Sequence, residues 1–216
     1  MVNGQVNANK EKKFPDIVIP RILNYLKVVQ RLEREQKATI LSEELSRMTN
    51  TSAVLIRKDL ANFGKFGQPG MGYDVSRLKN YLLDIIGGKE MCNLAVAGVG
   101  NLGSALLNYK GFEEEGLKFV AAYDKQEGKV GKICGNVIVE NISNMRESIR
   151  QHNVHIGIIA VPSDVAQMVA DKLIEAGVYS ILNFSPVALS VPAEVTLRNV
   201  DLAIELKALR YFSVNK

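Results

Sequence analysis

Gly98-Val99-Gly100-Asn101-Leu102-Gly103 has the residue types and the spacing that hold a dinucleotide pyrophosphate. In such a GxGxxG the first glycine permits a tight turn and the second lets the backbone approach the phosphates. The third lets a helix pack closely on a strand, and the N-terminus of that helix favours the anion. Glycines at this spacing also fill ordinary loops, so the flanking elements decide. Leu94–Ala97 reads as a strand leading in, Leu102–Tyr109 as a helix leading out, and Phe119–Tyr123 as a second strand ending at Asp124. Asp124 stands slightly further on than the ~20 residues the fingerprint expects. A carboxylate there accepts from a ribose 2′-OH and repels a 2′-phosphate, which argues for NAD over NADP, although Lys125 adjoins it. Ala160-Val161-Pro162-Ser163 and Asn183-Phe184-Ser185-Pro186 close later strands on the same carboxyl edge. Each can be a plain strand-to-loop turn; their position predicts that they flank the cofactor.

A second set of residues suits nucleic acid. Thr49-Asn50-Thr51 separates two short helical patterns, as in a helix-turn-helix, and Thr51 is the expected N-cap of the second. With Ala53, Ile56 and Leu60 packed inward, Ser52, Leu55, Lys58 and Asn62 turn outward and Arg57 lies on the border. Arg57 and Lys58 then face phosphates or base edges; the bland alternative is that Arg57-Lys58-Asp59 is a solvated face. The stretch from Phe63 to Tyr73 interleaves four glycines and a proline with three aromatics, which excludes a helix and suits a tight hairpin. A hairpin after a recognition helix is the wing of a winged helix, with Lys65 and Gln68 reaching toward the minor groove or backbone. A flexible linker accounts for the glycines but not for the aromatics.

The elements that carry these residues fall into two domains. Before about residue 88 apolar residues recur at helical spacing: Ile22, Leu23, Leu26, Val29 and Leu32, then Leu41, Leu45 and Met48, then Ala53, Ile56 and Leu60. After residue 92 short apolar runs alternate with helical stretches at Leu102–Tyr109, Ile142–Gln151 and Ser163–Ala176, the pattern of parallel strands buried on both faces. The pair Gly87-Gly88 marks the junction. The chain is therefore read as α/β, with a winged-helix DNA-binding domain at 1–86 and a Rossmann-like NAD(H)-binding and dimerisation domain at 87–216. Charge divides at the same place. The whole chain of 216 residues carries +4, but residues 1–88 hold 14 Lys and Arg against 9 Asp and Glu, and residues 89–216 hold 13 against 14. All of the excess positive charge lies in the helical half, where DNA would bind.

Composition narrows the function classes. A 47% hydrophobic, 23% charged chain builds a real core. Its polar first fourteen residues lack the apolar segment of a signal peptide, and no run approaches the ~20 residues of a membrane span, so a cytoplasmic protein is expected. Cys92 and Cys134 lie far apart without the pattern of basic neighbours that marks a reactive thiol, and His152 and His155 have no third ligand nearby, so neither a reactive thiol nor a metal site is expected. Glu113-Glu114-Glu115 reads as a solvated helix end. None of the seven tyrosines has a lysine four residues on, which removes the YxxxK pair of single-domain dehydrogenases. A cofactor site without catalytic groups, joined to a basic helical domain, reads as a sensor. The rivals are a small NAD-dependent oxidoreductase with a helical appendage and a CoA- or nucleotide-binding subunit of a larger enzyme.

The residues also resemble a family, the bacterial redox-sensing repressors called Rex. The match runs through Phe14-Pro15, Arg21, Tyr25-Leu26, Ile56-Arg57-Lys58-Asp59-Leu60, Phe63-Gly64 and Gly70-Met71-Gly72-Tyr73. It continues through Gly98–Gly103, Tyr123-Asp124, Lys129-Val130-Gly131, Ala160-Val161-Pro162, Gly177, Ile181-Leu182-Asn183-Phe184, Pro186-Val187 and Asn199-Val200-Asp201-Leu202. The resemblance implies a homodimer that binds a palindromic operator when NADH is low and leaves it when NADH rises. It implies a C-terminal helix, about Leu202–Phe212, that crosses into the partner subunit, and a nicotinamide pocket at Tyr109 and at Leu202 of the other chain. It further implies an interdomain switch pair at Lys27 and Asp201. Two positions depart from the family: Lys27 stands where Arg is frequent, giving a point charge in place of a bidentate fork, and Gln126 stands where a second acid is frequent.

Overall fold

In the N-terminal part the helical spacing of apolar residues is realised around one small core. The structure, a computed structural model, describes residues 17–61, 71–87 and 91–214. It divides into two units, Met1–Lys89 and Glu90–Lys216. The first unit opens with α1 (Ile19–Arg34), which has proline in its first turn, where no N–H is needed. Ile22, Tyr25, Leu26, Val29 and Leu32 are buried on one face of it, while Leu23, expected in that stripe, points out. A short strand β1 (Thr39–Ile40) follows, then α2 (Ser42–Thr49) and α3 (Ala53–Ala61). Of the three apolar residues expected to anchor α2, only Leu45 is buried. In so short a helix the other inward positions fall to Ser42 and Thr49, and Leu41 and Met48 are exposed. Asn50, in the left-handed region at φ 50°, ends α2 and makes the turn.

The N-cap of α3 is Ser52 and not Thr51: the Leu55 N–H donates to Ser52 Oγ at 3.3 Å, whereas the Thr51 hydroxyl donates to the Thr49 carbonyl. Strand β2 (Tyr73–Asp74) pairs antiparallel with β1, Ile40 opposite Tyr73. Gly72 precedes it at φ +77°, and a side chain there would strike the Ile40 carbonyl. Most of the expected wing, including Lys65 and Gln68, lies outside the described residues. Helix α4 (Val75–Ile85), which the sequence reading did not separate, starts on Asp74, whose carboxylate accepts from the Arg77 N–H. It completes the core with Val75, Leu78 and Leu82.

The second unit is a seven-stranded sheet. Its elements in chain order are β3 (Cys92–Ala97), α5 (Asn101–Asn108), α6 (Gly111–Glu114), β4 (Leu117–Asp124), β5 (Ile133–Cys134), β6 (Val137–Asn141), α7 (Met145–Gln151), β7 (Ile156–Ile159), α8 (Ser163–Glu175), β8 (Ser180–Asn183), β9 (Thr196–Asn199) and α9 (Leu202–Val214). The strands lie in the order β5-β6-β4-β3-β7-β8-β9, all parallel except β5. Alternation persists within the buried β3. Leu94 and Val96 face the layer that holds Leu107 of α5, and Ala95 and Ala97 face α7 and α8 through Ile149, Val169 and Leu173.

Candidate functional site

Strand β3 pairs with β4 on one side and β7 on the other, so the crossovers leave it in opposite directions and a crevice opens beyond its carboxyl end. The glycine loop fills that position. Gly98 turns at φ +96°, its N–H donates to the Tyr123 carbonyl at 2.7 Å, and a Cβ would strike the Ala160 carbonyl and lie 2.9 Å from Val161 Cγ1. A Cβ on Gly103 would strike the Gly98 carbonyl, so that glycine lets α5 sit against the loop. Gly100 differs from both. Its backbone is ordinary, at φ −84°, and the space a side chain would take is open. Neither conformation nor packing calls for glycine there; access to the N-terminus of α5 does.

Asp124 ends β4 beside the loop. Its Oδ2 accepts from the Val99 N–H at 2.9 Å and from Lys129 Nζ at 3.1 Å, and its Oδ1 accepts from the Gln126 N–H at 2.9 Å. Burial pushes its pKa up, but the Gln126 N–H, the Lys129 ammonium and the Val99 N–H outweigh burial and hold the carboxyl below its ordinary value. The carboxylate therefore ties the glycine loop to the neighbouring strand, a task not apparent from its place in the fingerprint.

These residues border a cleft of about 560 Å³. Gly98, Gly100, Asp124, Lys125, Gln126 and Lys129 line it, together with the apolar Ile142, Ala160, Val161, Pro162, Val165 and Met168. Of the expected cofactor residues, Gly98, Gly100, Asp124, Ala160, Val161 and Pro162 thus come together. Val99 is buried behind the loop, and Asn101, Leu102 and Gly103 begin α5. Asn183 is fully buried, with its amide donating to Ser185 O, Val187 O and Asn199 Oδ1, so it shapes the loop after β8 and does not line the cleft. Phe184 packs against the core. Tyr109 lies apart, at the far end of α5, edge-on to Phe112 and lining a separate hollow of about 410 Å³. Leu202 is exposed at the start of α9. Gln126, singled out above as standing where a second acid is frequent, lines the cleft; Lys129, Ile142, Val165 and Met168 were not expected there, and of these only Lys129, five residues past the acid in a loop after a strand, gave a readable signal.

In the first unit Ser52, Arg57 and Lys58 are exposed on α3. Arg57 Nη1 donates to Ser42 Oγ at 2.6 Å and to Glu43 Oε1 at 2.8 Å, holding its guanidinium across the start of α2. Asp59 is no part of a solvated face. It is 2% exposed, takes both Nε and Nη2 of Arg21 at 2.7 Å, and accepts from the Tyr25 hydroxyl at 2.9 Å. Burial and this bond push the Tyr25 phenol up to about 12. The acid locks α3 onto α1 and leaves Arg57 and Lys58 pointing out. Lys27 is exposed on α1. Asp201 caps α9, accepting from the Ala203 and Ile204 N–H groups at 2.9 and 3.2 Å. Among the described residues no cluster of three metal-ligating side chains occurs, and no helix is long and apolar enough to cross a membrane.

Helix α9 buries nothing. Leu202, Ile204, Leu206, Leu209, Tyr211, Phe212 and Val214 are all more than half exposed. Such an apolar surface marks an interaction site.

Residues 89–187 match the family described as "CoA binding domain", and residues 13–61 match the one described as "Putative DNA-binding protein N-terminus". A redox-sensing transcriptional repressor Rex from Pelotomaculum thermopropionicum is 42% identical over 207 residues, which cover 96% of this chain and 97% of that protein. The crystal structure of RSP in complex with beta-NAD+ and operator DNA is similar at TM-score 0.87 and 37% identity, over 92% of both chains. That of RSP in complex with beta-NADH is similar at TM-score 0.83 and 35% identity, over 92% of this chain and 93% of the other.

Proposed function

This chain belongs to the Rex family of redox-sensing transcriptional repressors, and we propose that its glycine-loop cleft is the sensor and its α2–α3 pair the operator reader. The protein is a DNA-binding repressor that responds to NADH and NAD+, with the dinucleotide as effector and not as redox substrate. The observation that carries the assignment of the sensor is Gly100: open space and ordinary backbone at the N-terminus of α5, in the crevice where the strand order reverses. Gly98, Gly100 and the first N–H groups of α5 hold the pyrophosphate, Asp124 meets the adenosine ribose, and Ala160, Val161 and Pro162 pack against the cofactor. The bound dinucleotide supplies a difference of one positive charge on the nicotinamide ring between its two forms. An apolar wall that includes Leu202 of a second copy penalises the charged ring by desolvation and so favours NADH.

The dimer rests on α9. A helix with no buried residue and seven large exposed apolar side chains finds its cover in a second copy of the chain, which also supplies the two-fold symmetry a palindromic operator needs. Ser52, Arg57 and Lys58, with Lys65 and Gln68 of the wing, contact operator DNA. Two half-sites require readers about 34–36 Å apart or a multiple of it. A cofactor-driven change of that spacing, at a typical coupling of about 1–3 kcal/mol, lowers operator affinity roughly 5–150-fold. Selection of duplexes from a random pool tests this reading. A palindrome recovered without NADH and depleted with it is the expected result; recovery unaffected by NADH would refute it.

A further inference from the structure

Two arginines of the first unit use their guanidinium groups in opposite ways. A guanidinium carries five N–H donors, and its Nε and Nη2 edge presents two of them in parallel to a pair of acceptors. Arg21 places that edge on Asp59, with both bonds at 2.7 Å. Arg57 keeps it open. Its Nη1 donates to Ser42 Oγ at 2.6 Å and to Glu43 Oε1 at 2.8 Å, which uses both hydrogens of that nitrogen. Ser42 Oγ donates in turn to Glu43 Oε2 at 3.2 Å, closing a ring of three side chains. Nε and Nη2 of Arg57 have no partner among the described residues.

Ser42 is buried in the first turn of α2, so the ring is anchored to the body of that helix. Arg57 and Glu43 are at least half exposed, and so open a pair adds little to stability. What it does is restrict a long, mobile side chain before DNA arrives. It also cancels charge. Bonds from Arg57, from the backbone and from Ser42 hold the Glu43 carboxyl below its ordinary value, so it is ionised at neutral pH. Arg57 with Glu43 is therefore neutral, whereas Lys58 beside it is a cation with no ion pair among the described residues. A neutral pair draws little from the general field of the phosphates. Its gain on DNA has to come from the fit of the open fork.

Resting on the α2–α3 pair as the operator reader, we propose that Glu43 and Ser42 are positioning residues that hold the Nε and Nη2 fork of Arg57 ready for a pair of acceptors on the operator. Such a pair is offered by O6 and N7 of a guanine or by two oxygens of one backbone phosphate. Glu43 then strengthens operator binding even though it carries the same sign of charge as DNA.

Gel shifts of the full-length protein at fixed salt, on a selected palindromic duplex and on an unrelated duplex of equal length, test this with Glu43→Ala and Glu43→Gln. The two variants lose the same charge, but only glutamine keeps an oxygen for Nη1. Glu43→Ala is expected to weaken palindrome binding about three- to tenfold, and Glu43→Gln to recover most of that loss. In an Arg57→Ala background the effect of Glu43→Ala disappears, whereas a mere contribution to α2 would persist. On the unrelated duplex, unchanged or tighter binding by Glu43→Ala assigns the acceptor pair to guanine, and weaker binding assigns it to phosphate. Palindrome binding by Glu43→Ala that is unchanged or tighter, an equal loss in Glu43→Gln, or a loss that persists in the Arg57→Ala background would overturn the proposal. A wild-type protein with no preference for the palindrome would instead overturn the operator reader on which it rests.

Discussion

Gly100 and Gly98 belong to one motif, but the structure assigns them opposite sensitivities. Gly100→Ala places a methyl in open space on an ordinary backbone, so stability changes by less than about 1 kcal/mol. The same methyl occupies the approach of an anion to the N-terminus of α5. Losing one charge-assisted hydrogen bond there costs about 1.5–3 kcal/mol, which is roughly a 10- to 150-fold loss of NADH affinity. Gly98→Ala faces two penalties before any ligand arrives. Its φ of +96° costs an L-residue about 1–2 kcal/mol, and contact with the Ala160 carbonyl and Val161 adds about 1–3 kcal/mol of overpacking. At roughly 4 °C per kcal/mol, Gly98→Ala melts about 8–20 °C below wild type and Gly100→Ala within about 4 °C of it. Thermal melts beside NADH titrations read both quantities. Wild-type NADH affinity in Gly100→Ala, or equal destabilisation by the two substitutions, would refute the assignment of the anion site.

Four further outcomes follow from the same geometry. Asp59→Ala strips the buried partner from Arg21 and Tyr25 and is expected to destabilise the first unit by about 2–4 kcal/mol, read by denaturant melts, with DNA binding lost in step with folding and not separately. Lys58→Ala weakens operator binding in gel shifts while lowering the slope of log affinity against log salt by about 1; an unchanged slope would remove Lys58 from the phosphate contacts. Asp124, held below the ordinary aspartate value of 3.8, contributes stability that is present above that pH and lost as pH falls through the folded-state value. Wild-type melting temperature is therefore expected to drop more steeply than that of Asp124→Asn below about pH 4. Leu206→Glu on α9 should convert a dimer to monomer in sedimentation velocity, because it sets a charge in a face that none of the described residues covers.

The glycine loop was legible because strand, turn and helix lie within a dozen residues of one another, although the contact that requires Gly98, with Ala160, is remote in sequence. The two-domain division was legible from a change of hydrophobic period. Other features depend on partners remote in sequence. Asp59 beside Arg57 and Lys58 looks solvated until Arg21, 38 residues earlier, is seen to pair with it. Asp124 fits the ribose-binding position, but its bonds to Val99 and Lys129 appear only when the loop is folded against β4. Asn183 lies on the right sheet edge, yet its amide is used within its own loop. The strands β5, β6 and β9 are short and mixed in polarity, and edge strands lack the two-faced burial that made β3 readable. Tyr109 and Leu202, expected at the nicotinamide, do not line the cleft.

The central claim is that the reduced cofactor, and not the oxidised one, removes the repressor from DNA. A gel-shift titration of a preformed complex of full-length protein and palindromic duplex, at fixed salt, with NADH in one series and NAD+ in the other, tests it most directly. Release is expected at NADH concentrations well below those at which NAD+ has any effect. Equal response to the two forms, or tighter DNA binding with NADH, would contradict it.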